Sequence, residues 1–420
     1  MDAISFEPPR GMRDFYPEDM IWRNRVFDAW RRAAQTYGFS PYDSCVVESL
    51  DLLQRKSGEE VSEQIYHFED KSGRRLALRP EMTPTLARMV AARQGRLTFP
   101  IKWFAVAQCF RYERMTRGRK REHYQLNLDI IGESSVSAEL EVMAAAADAL
   151  SRMGMPADAY RIRVNNRALL SELLDRSGIA AKHHPAVFLA LDKRGKISDE
   201  AIAGLLREEG LDDAAVAKTF ELLAVQTLDQ AAELAGQDSP AIATLRELFA
   251  LAEIYGIADR LIFDIAVIRG LSYYTGIVFE AFDTAGKFRA IFGGGRYDNL
   301  LTTIGGDPTP AVGLGFGDVV VVEVLKDLLG ETAAAVRHGV TIGYMEAAQR
   351  EAAMRLARSL RDQGEEVDLA LTKLKPKQFF SRASAGSAAD AVYIGPDDVS
   401  AGQARRKHLE TREETVIPLP

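Results

Sequence analysis

Residues 101–131 read IKWFAVAQCFRYERMTRGRKREHYQLNLDII, with Phe110-Arg111-Tyr112-Glu113-Arg114 at the centre and Tyr124-Gln125-Leu126-Asn127-Leu128-Asp129 near the end. Strand-like runs at 101–111 and 124–131 flank a turn holding Arg111, Arg114, Arg117, Arg119, Lys120 and Arg121 against one acid, Glu113, which predicts an antiparallel hairpin. Alternate strand residues face one side, so Arg111 and Glu113 share a face, as do Gln125, Asn127 and Asp129. Such a face is poor packing material, because buried charges are costly unless a partner or ligand compensates them. It suits a pocket for phosphate and a polar ligand. The basic run by itself also reads as a solvated charged turn.

Outward from this hairpin, apolar residues Ile21, Val26, Phe27, Trp30 and Ala34 predict a helix over 18–37, stopped by Gly38. Short β-type runs follow at 45–48, 65–69 and 75–78, with helices over 84–93 and 138–153. From 167 to 254 the chain is rich in Ala, Leu, Glu and Asp, which reads as a helical insertion. Strands return at 261–267, 274–282 and 289–292, followed by a glycine-rich segment through Gly317 and a helix over 319–329. Beyond 338 the period changes to strand, helix, strand, helix, strand, which implies a parallel or mixed sheet. The expected class is α+β: a six- or seven-stranded antiparallel sheet flanked by helices over 1–330, a helical insertion at 167–254, and an α/β domain at 338–420.

The net charge of −7 over 420 residues argues against a protein that coats nucleic acid indiscriminately, but not against a local basic surface. No run approaches the roughly 20 apolar residues of a membrane span, and residues 1–9 have no leader pattern, so a cytoplasmic protein without membrane contact is expected. Cys45 and Cys109 form neither a disulfide framework nor a zinc motif. The six histidines are scattered, and none is expected to bind metal.

Three further segments can carry chemistry. In Leu78-Arg79-Pro80-Glu81-Met82-Thr83-Pro84, a carboxylate and a hydroxyl two residues apart can grip an ammonium group; the same residues also read as a turn with Thr83 capping a helix. Ile268-Arg269-Gly270-Leu271-Ser272-Tyr273-Tyr274 offers a cation and two tyrosines, the latter equally plausible as core aromatics. Phe292-Gly293-Gly294-Gly295-Arg296-Tyr297-Asp298 and the later Gly313-Leu314-Gly315-Phe316-Gly317 permit close backbone approach, and neither matches a P-loop or dinucleotide fingerprint.

Taken together and in this order, the segments resemble histidyl-tRNA synthetases over nearly the whole chain, from Gly11-Met12-Arg13-Asp14 onward. Phe110-Arg111-Tyr112-Glu113 resembles motif 2 of class II synthetases. Arg269 to Tyr274 resembles the histidine-specific signature, and Gly294 to Asp298 its companion. The resemblance implies activation of L-histidine with ATP and Mg²⁺, then transfer to the 3′ end of tRNA(His). Glu81, Thr83 and Asp129 are implied to hold the α-amino group, with Gln125 also on the histidine side and Tyr273 and Tyr274 bordering the imidazole. Arg111 is implied to hold the ATP α-phosphate, with Glu113, Arg119 and Gln125 lining that pocket and Arg269 beside the reacting carboxylate and phosphate. The C-terminal domain is implied to bind the anticodon region, with Lys373, Lys375, Lys377, Arg405, Arg406 and Lys407 as candidate contacts. A homodimer through the helix at 18–37 is also implied, although its apolar stripe reads equally as a core face.

The chemistry agrees with these residue types. Two anions must meet, and two fork-shaped guanidiniums, Arg111 and Arg269, can neutralise the charge that builds between them. Three positions depart from the family pattern. Ser272 replaces an aspartate and Cys45 a proline. The motif 3 arginine is missing, since Asp318-Val319-Val320-Val321 is followed by no cation before Lys326. Arg117, Arg119 or Arg296 is expected to supply that charge. The alternative is a silent paralogue resembling the regulatory subunit of ATP phosphoribosyltransferase, which the Arg111–Arg114 pattern and the intact C-terminal domain oppose. A non-enzymatic nucleic-acid binder explains none of the polar face.

Overall fold

The computed structural model describes residues 5–55, 64–116, 118–193, 197–268, 273–330, 337–386 and 388–420. The chain divides into two compact units, Met1–Gly330 and Glu331–Pro420. Strands of the first unit, in chain order, are β1 (Ser40–Pro41), β2 (Val47–Ser49), β3 (His67–Glu69), β4 (Arg75–Leu78), β5 (Ile101–Phe110), β6 (Glu122–Ile131), β7 (Tyr160–Asn166), β8 (Leu261–Phe263), β9 (Ile277–Asp283), β10 (Phe292–Arg296) and β11 (Ala311–Gly317). Eight of them form one sheet in the order β1-β5-β6-β11-β10-β9-β7-β8, and β2-β4-β3 form a separate small sheet. Pairs from β5 to β7 are antiparallel, whereas the edge pairs β1–β5 and β7–β8 are parallel.

The two faces of this sheet differ. On β6, Tyr124, Leu126, Leu128 and Ile130 point to the back, where the helices Pro17–Thr36 and Ser137–Arg152 pack. Trp30 is fully buried there, 5.3 Å from Phe316, and Phe27 lies 5.2 Å from Tyr124. The apolar stripe of the first helix is therefore used as a core face. The alternate residues Gln125, Asn127 and Asp129 occupy the front, opposite Ala107, Ala105 and Trp103 of β5 and Gly317, Gly315 and Gly313 of β11.

Two expectations are corrected here. The main sheet has eight strands, because the two-residue β1 and the arginine-interrupted β7 escape a hydrophobicity reading. The glycine-rich segments, assigned to neither strand nor helix from the sequence, form the central strands β10 and β11. Glycine weakens an isolated strand but fits here, because neighbouring side chains lie across it. A Cβ on Gly313 would fall 2.1 Å from Asp129 Oδ1, and one on Gly315 would fall 2.5 Å from Gln125 Nε2.

Helices from Arg167–Arg176 to Pro240–Tyr255 fill the interval between β7 and β8, five of them capped by Asn166, Ser198, Asp212, Thr227 and Ser239. Since β7 and β8 are neighbours, this excursion leaves the sheet and returns to its edge. The second unit holds β12 (Val340–Tyr344), β13 (Val367–Leu369), β14 (Asp390–Ile394), β15 (Gln403–His408) and β16 (Glu414–Pro418) in the order β13-β12-β14-β15-β16. The first three are parallel, and the last two form an antiparallel hairpin that the sequence reading did not find.

Candidate active site

The segment 79–82 crosses the front of β5 and is pinned there by Arg79. Its buried guanidinium donates to the carbonyls of Gln108 (2.9 Å) and Ser44 (3.1 Å), while Phe110 N donates to Arg79 O. Small residues below make the crossing possible, because Met82 is seated on Ala105, Ala107 and Cys109. The helix Thr83–Ala91 then begins with Thr83 inside it and Met82 as the cap residue, so Thr83 is not the N-cap. Thr83 and Glu81 are both buried.

Glu81 accepts a hydrogen bond from Tyr273 Oη at 3.1 Å, and Asp129 accepts one from Tyr297 Oη. Tyr273 and Tyr274 lie 4.9 Å apart, and Tyr273 and Tyr297 6.0 Å, backed by Leu86, Val90 and Val278. The rings of the tyrosine pair are core, and Tyr273 also carries its hydroxyl to Glu81. Asp129 is only 1% exposed, and among the described residues its Oδ2 has no hydrogen-bond partner. Tyr42 Oη is orphaned in the same way. Burial raises the Asp129 pKa to about 7, with Glu81 adding to the rise and the Tyr297 hydrogen bond opposing it. Two carboxyls beside orphaned polar atoms suit a cationic, hydrogen-bonding ligand.

Arg111 stands just beyond β5, where its Nε donates to Pro80 O at 3.0 Å. The backbone of the Glu81 segment therefore orients the guanidinium. Glu113 and Arg119 form an ion pair at 2.8 Å across the turn, and Gln125 Nε2 donates to Asn127 Oδ1 at 3.0 Å. A cleft of about 530 Å³ beside the turn is lined by Arg10, Tyr112, Glu113, Arg114, Met115 and Arg121. Arg269 and Arg117 lie outside the described residues.

Arg296 is the clear correction among the expected cations. It projects to the back of the sheet, where Nε and Nη2 grip Glu139 at 2.5 and 2.7 Å, and it also donates to the carbonyls of Glu133 and Ser135. It therefore supplies no charge to the front face. In the C-terminal unit, Arg406 is likewise held internally, by Glu365 and Asp390, each at 2.7 Å. Lys373 pairs with Glu346 at 2.6 Å, while Arg405 and Lys407 both pair with Glu414.

Three site residues escaped the sequence reading. Tyr297 stood within a quoted motif but was given no role. Tyr42 carried no local signal. His123 belongs to the front by the same alternation as Gln125, which is the signal that pointed to it. Desolvation and the Arg111 charge lower its pKa to about 3, against a hydrogen bond with Gln125, so its imidazole is neutral.

Comparisons with known proteins identify the family of the chain. The profile of the family "Histidyl-tRNA synthetase" matches residues 11–317. The chain is 43% identical over 418 residues to the histidine–tRNA ligase, chloroplastic/mitochondrial, of Arabidopsis thaliana, covering 99% of this chain and 86% of that protein. It is 38% identical over 421 residues to the histidine–tRNA ligase of Opitutus terrae, covering 99% and 96%. Among solved structures, histidyl-tRNA synthetase from Nostoc sp. PCC 7120 superposes with a TM-score of 0.81 at 23% identity, covering 99% of this chain and 97% of that one. A Bacillus halodurans chain described as an ATP phosphoribosyltransferase regulatory subunit/histidyl-tRNA synthetase gives 0.78 at 23%, covering 94% and 99%. The two superpositions show the shared fold, and the profile and sequence matches show that the chain belongs to the histidyl-tRNA synthetase family of class II aminoacyl-tRNA synthetases.

Proposed function

We propose that the chain activates L-histidine with ATP and transfers it to the 3′ end of tRNA(His), using the front of the eight-stranded sheet. One observation carries the placement of the amino acid: Asp129 is a buried carboxyl with an unpartnered oxygen beside Glu81, and an α-ammonium group satisfies both. Glu81, Thr83 and Asp129 hold that ammonium, and Tyr273 and Tyr274 border the imidazole. Arg111, with Glu113, Arg119 and Gln125 around it, holds the nucleotide.

In the first step a carboxylate oxygen of histidine bonds to the α-phosphorus, the bond to the β-phosphate oxygen breaks, and pyrophosphate leaves. The carboxylate is already ionised, so no protein base is needed. Arg111 offsets the charge on the non-bridging oxygens, with Arg269 as its proposed partner. In the second step a hydroxyl of the terminal ribose bonds to the acyl carbon, the bond from that carbon to the phosphate oxygen breaks, and AMP leaves, its phosphate taking the hydroxyl proton. Among the described residues no group of three His, Cys, Asp or Glu side chains forms a metal cage. Mg²⁺ is therefore proposed to arrive on the triphosphate, as is usual for nucleotide sites.

The basic turn is proposed to meet the acceptor end, and the second unit the anticodon region. A homodimer is also proposed. Its contact lies away from the apolar stripe of Pro17–Thr36, which the core covers. Among the described residues no helix is long and apolar enough to cross a membrane; a cytoplasmic location is proposed. Histidine-dependent ATP–pyrophosphate exchange, then charging of tRNA, tests the function. Exchange and charging are expected, whereas histidine binding without exchange would favour the silent paralogue.

A further inference from the structure

We propose that Arg289, at the bend before β10, binds the terminal phosphates of the nucleotide; this rests on the function proposed above. The argument starts from the turn between β5 and β6. Thr116 and Arg119 bridge across it, and Gly118 takes a left-handed φ of +78°. A Cβ on Gly118 would lie 3.4 Å from Val320 Cγ2 and 4.0 Å from Arg289 Cδ. The turn thus reaches past β6 and β11 to the end of β10, bringing together three positions far apart in sequence.

The floor beneath has room for an anion. Gly317 ends β11 opposite Gln125, and a Cβ there would meet nothing within 4 Å. Arg111 stands at the β5 side of this sheet end and Arg289 at the β10 side. Three strand spacings separate β5 from β10, roughly 14 Å, and a polyphosphate chain fits between two arginine side chains anchored that far apart.

Several cations near this sheet end are already taken by carboxylates. Arg119 is paired with Glu113, Arg296 with Glu139, and Arg13 with Asp318 and Glu122. Among the described residues no carboxylate pairs with the half-buried Arg289. The facing helix Asp318–Leu329 opens with Asp318 and four valines, Val319 to Val322, ahead of Glu323. A cation beside the same turn glycine as Val320, with its donors not taken by an acid among the described residues, suits phosphate oxygens, and a guanidinium suits them bidentately.

The test compares ATP and AMP binding by titration calorimetry with the full-length wild type and with Arg289→Ala, Arg289→Lys and Arg289→Ala/Val320→Arg, each first checked for a wild-type melting temperature. Arg289→Ala is expected to weaken ATP binding about tenfold or more, the scale of one charge-assisted contact, and to leave AMP binding and the KM for histidine unchanged. Arg289→Lys should recover part of the loss, and Val320→Arg should restore it from the neighbouring position. Unchanged ATP affinity in Arg289→Ala, or equal losses for ATP and AMP, overturns the assignment. Failure of the wild type itself to bind ATP instead sinks the proposed function, so the two failures are distinct.

Discussion

Tyr297 Oη donates a hydrogen bond to Asp129 Oδ1 from the end of the glycine strand β10, and thereby holds one oxygen of a carboxyl whose other oxygen has no partner among the described residues. This ties the histidine-side acid to the Gly-Gly-Arg-Tyr-Asp segment and sets how Asp129 titrates. Burial keeps it protonated up to about pH 7 in the ligand-free chain, against an ordinary value of 3.8. By linkage, the stability Asp129 contributes is present at low pH and is lost as pH rises through about 7. An ammonium ligand reverses that preference by selecting the carboxylate. Histidine binding should therefore release a proton below pH 7, and KM for histidine should rise as pH falls beneath that value. Asp129→Asn should bind more weakly and lack this limb, retaining only the titration of histidine itself. Parallel slopes in the two proteins would remove Asp129 from the ammonium site.

Tyr297→Phe isolates the hydrogen bond. A bond to a charged group is worth about 1.5–3 kcal/mol, and one pKa unit is about 1.36 kcal/mol. Losing it should push the midpoint of the histidine KM profile upward by one to two units, with melting temperature far less affected. A profile unmoved in Tyr297→Phe would show that the hydroxyl does not stabilise the carboxylate.

The glycines of the two central strands should separate by function. Gly315 faces Gln125, a side chain with a flexible end, so Gly315→Ala should displace that amide and weaken ATP binding while the fold survives. Gly294 is on the opposite face, and its Cβ would meet the backbone oxygen of Gly313 at 2.2 Å. Gly294→Ala should therefore destabilise the sheet, by about 1–3 kcal/mol or more for such overpacking. Thermal melts and ATP titrations on both variants read the difference. Equal melting temperatures for the two would contradict this division of the faces.

Why the hairpin was legible and the glycine strands were not follows from what each signal measures. Gln125, Asn127 and Asp129 alternate with Tyr124, Leu126 and Leu128, a period-two pattern that identifies both strand and polar face. In Gly293-Gly294-Gly295 the same period exists in space but has no side chains to express it, and strand statistics count glycine as a breaker. The reason for Gly294 and Gly295 lies on the neighbouring strands β9 and β11 and in Tyr274, and the reason for Gly313 and Gly315 on β6, in Asp129 and Gln125, contacts that only the cross-strand register brings near. Arg296 misled for a related reason. It stands directly between the front-facing Gly295 and Tyr297, and that single step along the strand sends it to Glu139 at the back.

Arg296→Ala should act on stability and not on substrate binding. Its side chain is 10% exposed and that of Glu139 1%, so removing one partner leaves a buried charge unpaired, at a cost of about 3–5 kcal/mol. Chemical denaturation should show that loss, whereas KM for ATP in the folded fraction should match wild type. Replacing both residues with apolar ones of similar size should recover most of the stability. An ATP-specific defect in Arg296→Ala would return this arginine to the nucleotide site.

Arg111 is where position and charge can be told apart. Its Nε is engaged by Pro80 O, so the segment carrying Glu81 also aims the guanidinium. Arg111→Ala removes charge and fork together and should lower histidine-dependent exchange by about 10²–10³, the effect of deleting one preorganised donor. Arg111→Lys keeps the charge but loses both the planar fork and the Pro80 anchor. If orientation matters, the lysine variant should stay well below wild type in kcat, with KM for histidine nearly unchanged because Glu81 and Asp129 are untouched. If lysine restores full exchange, a point charge suffices and the Pro80 contact has no catalytic consequence. The contact exists because the prolines in Leu78-Arg79-Pro80-Glu81-Met82-Thr83-Pro84 fix a backbone that offers a carbonyl to the arginine and a carboxylate to the amino acid, so one rigid segment sets the distance between the two substrates' anchors.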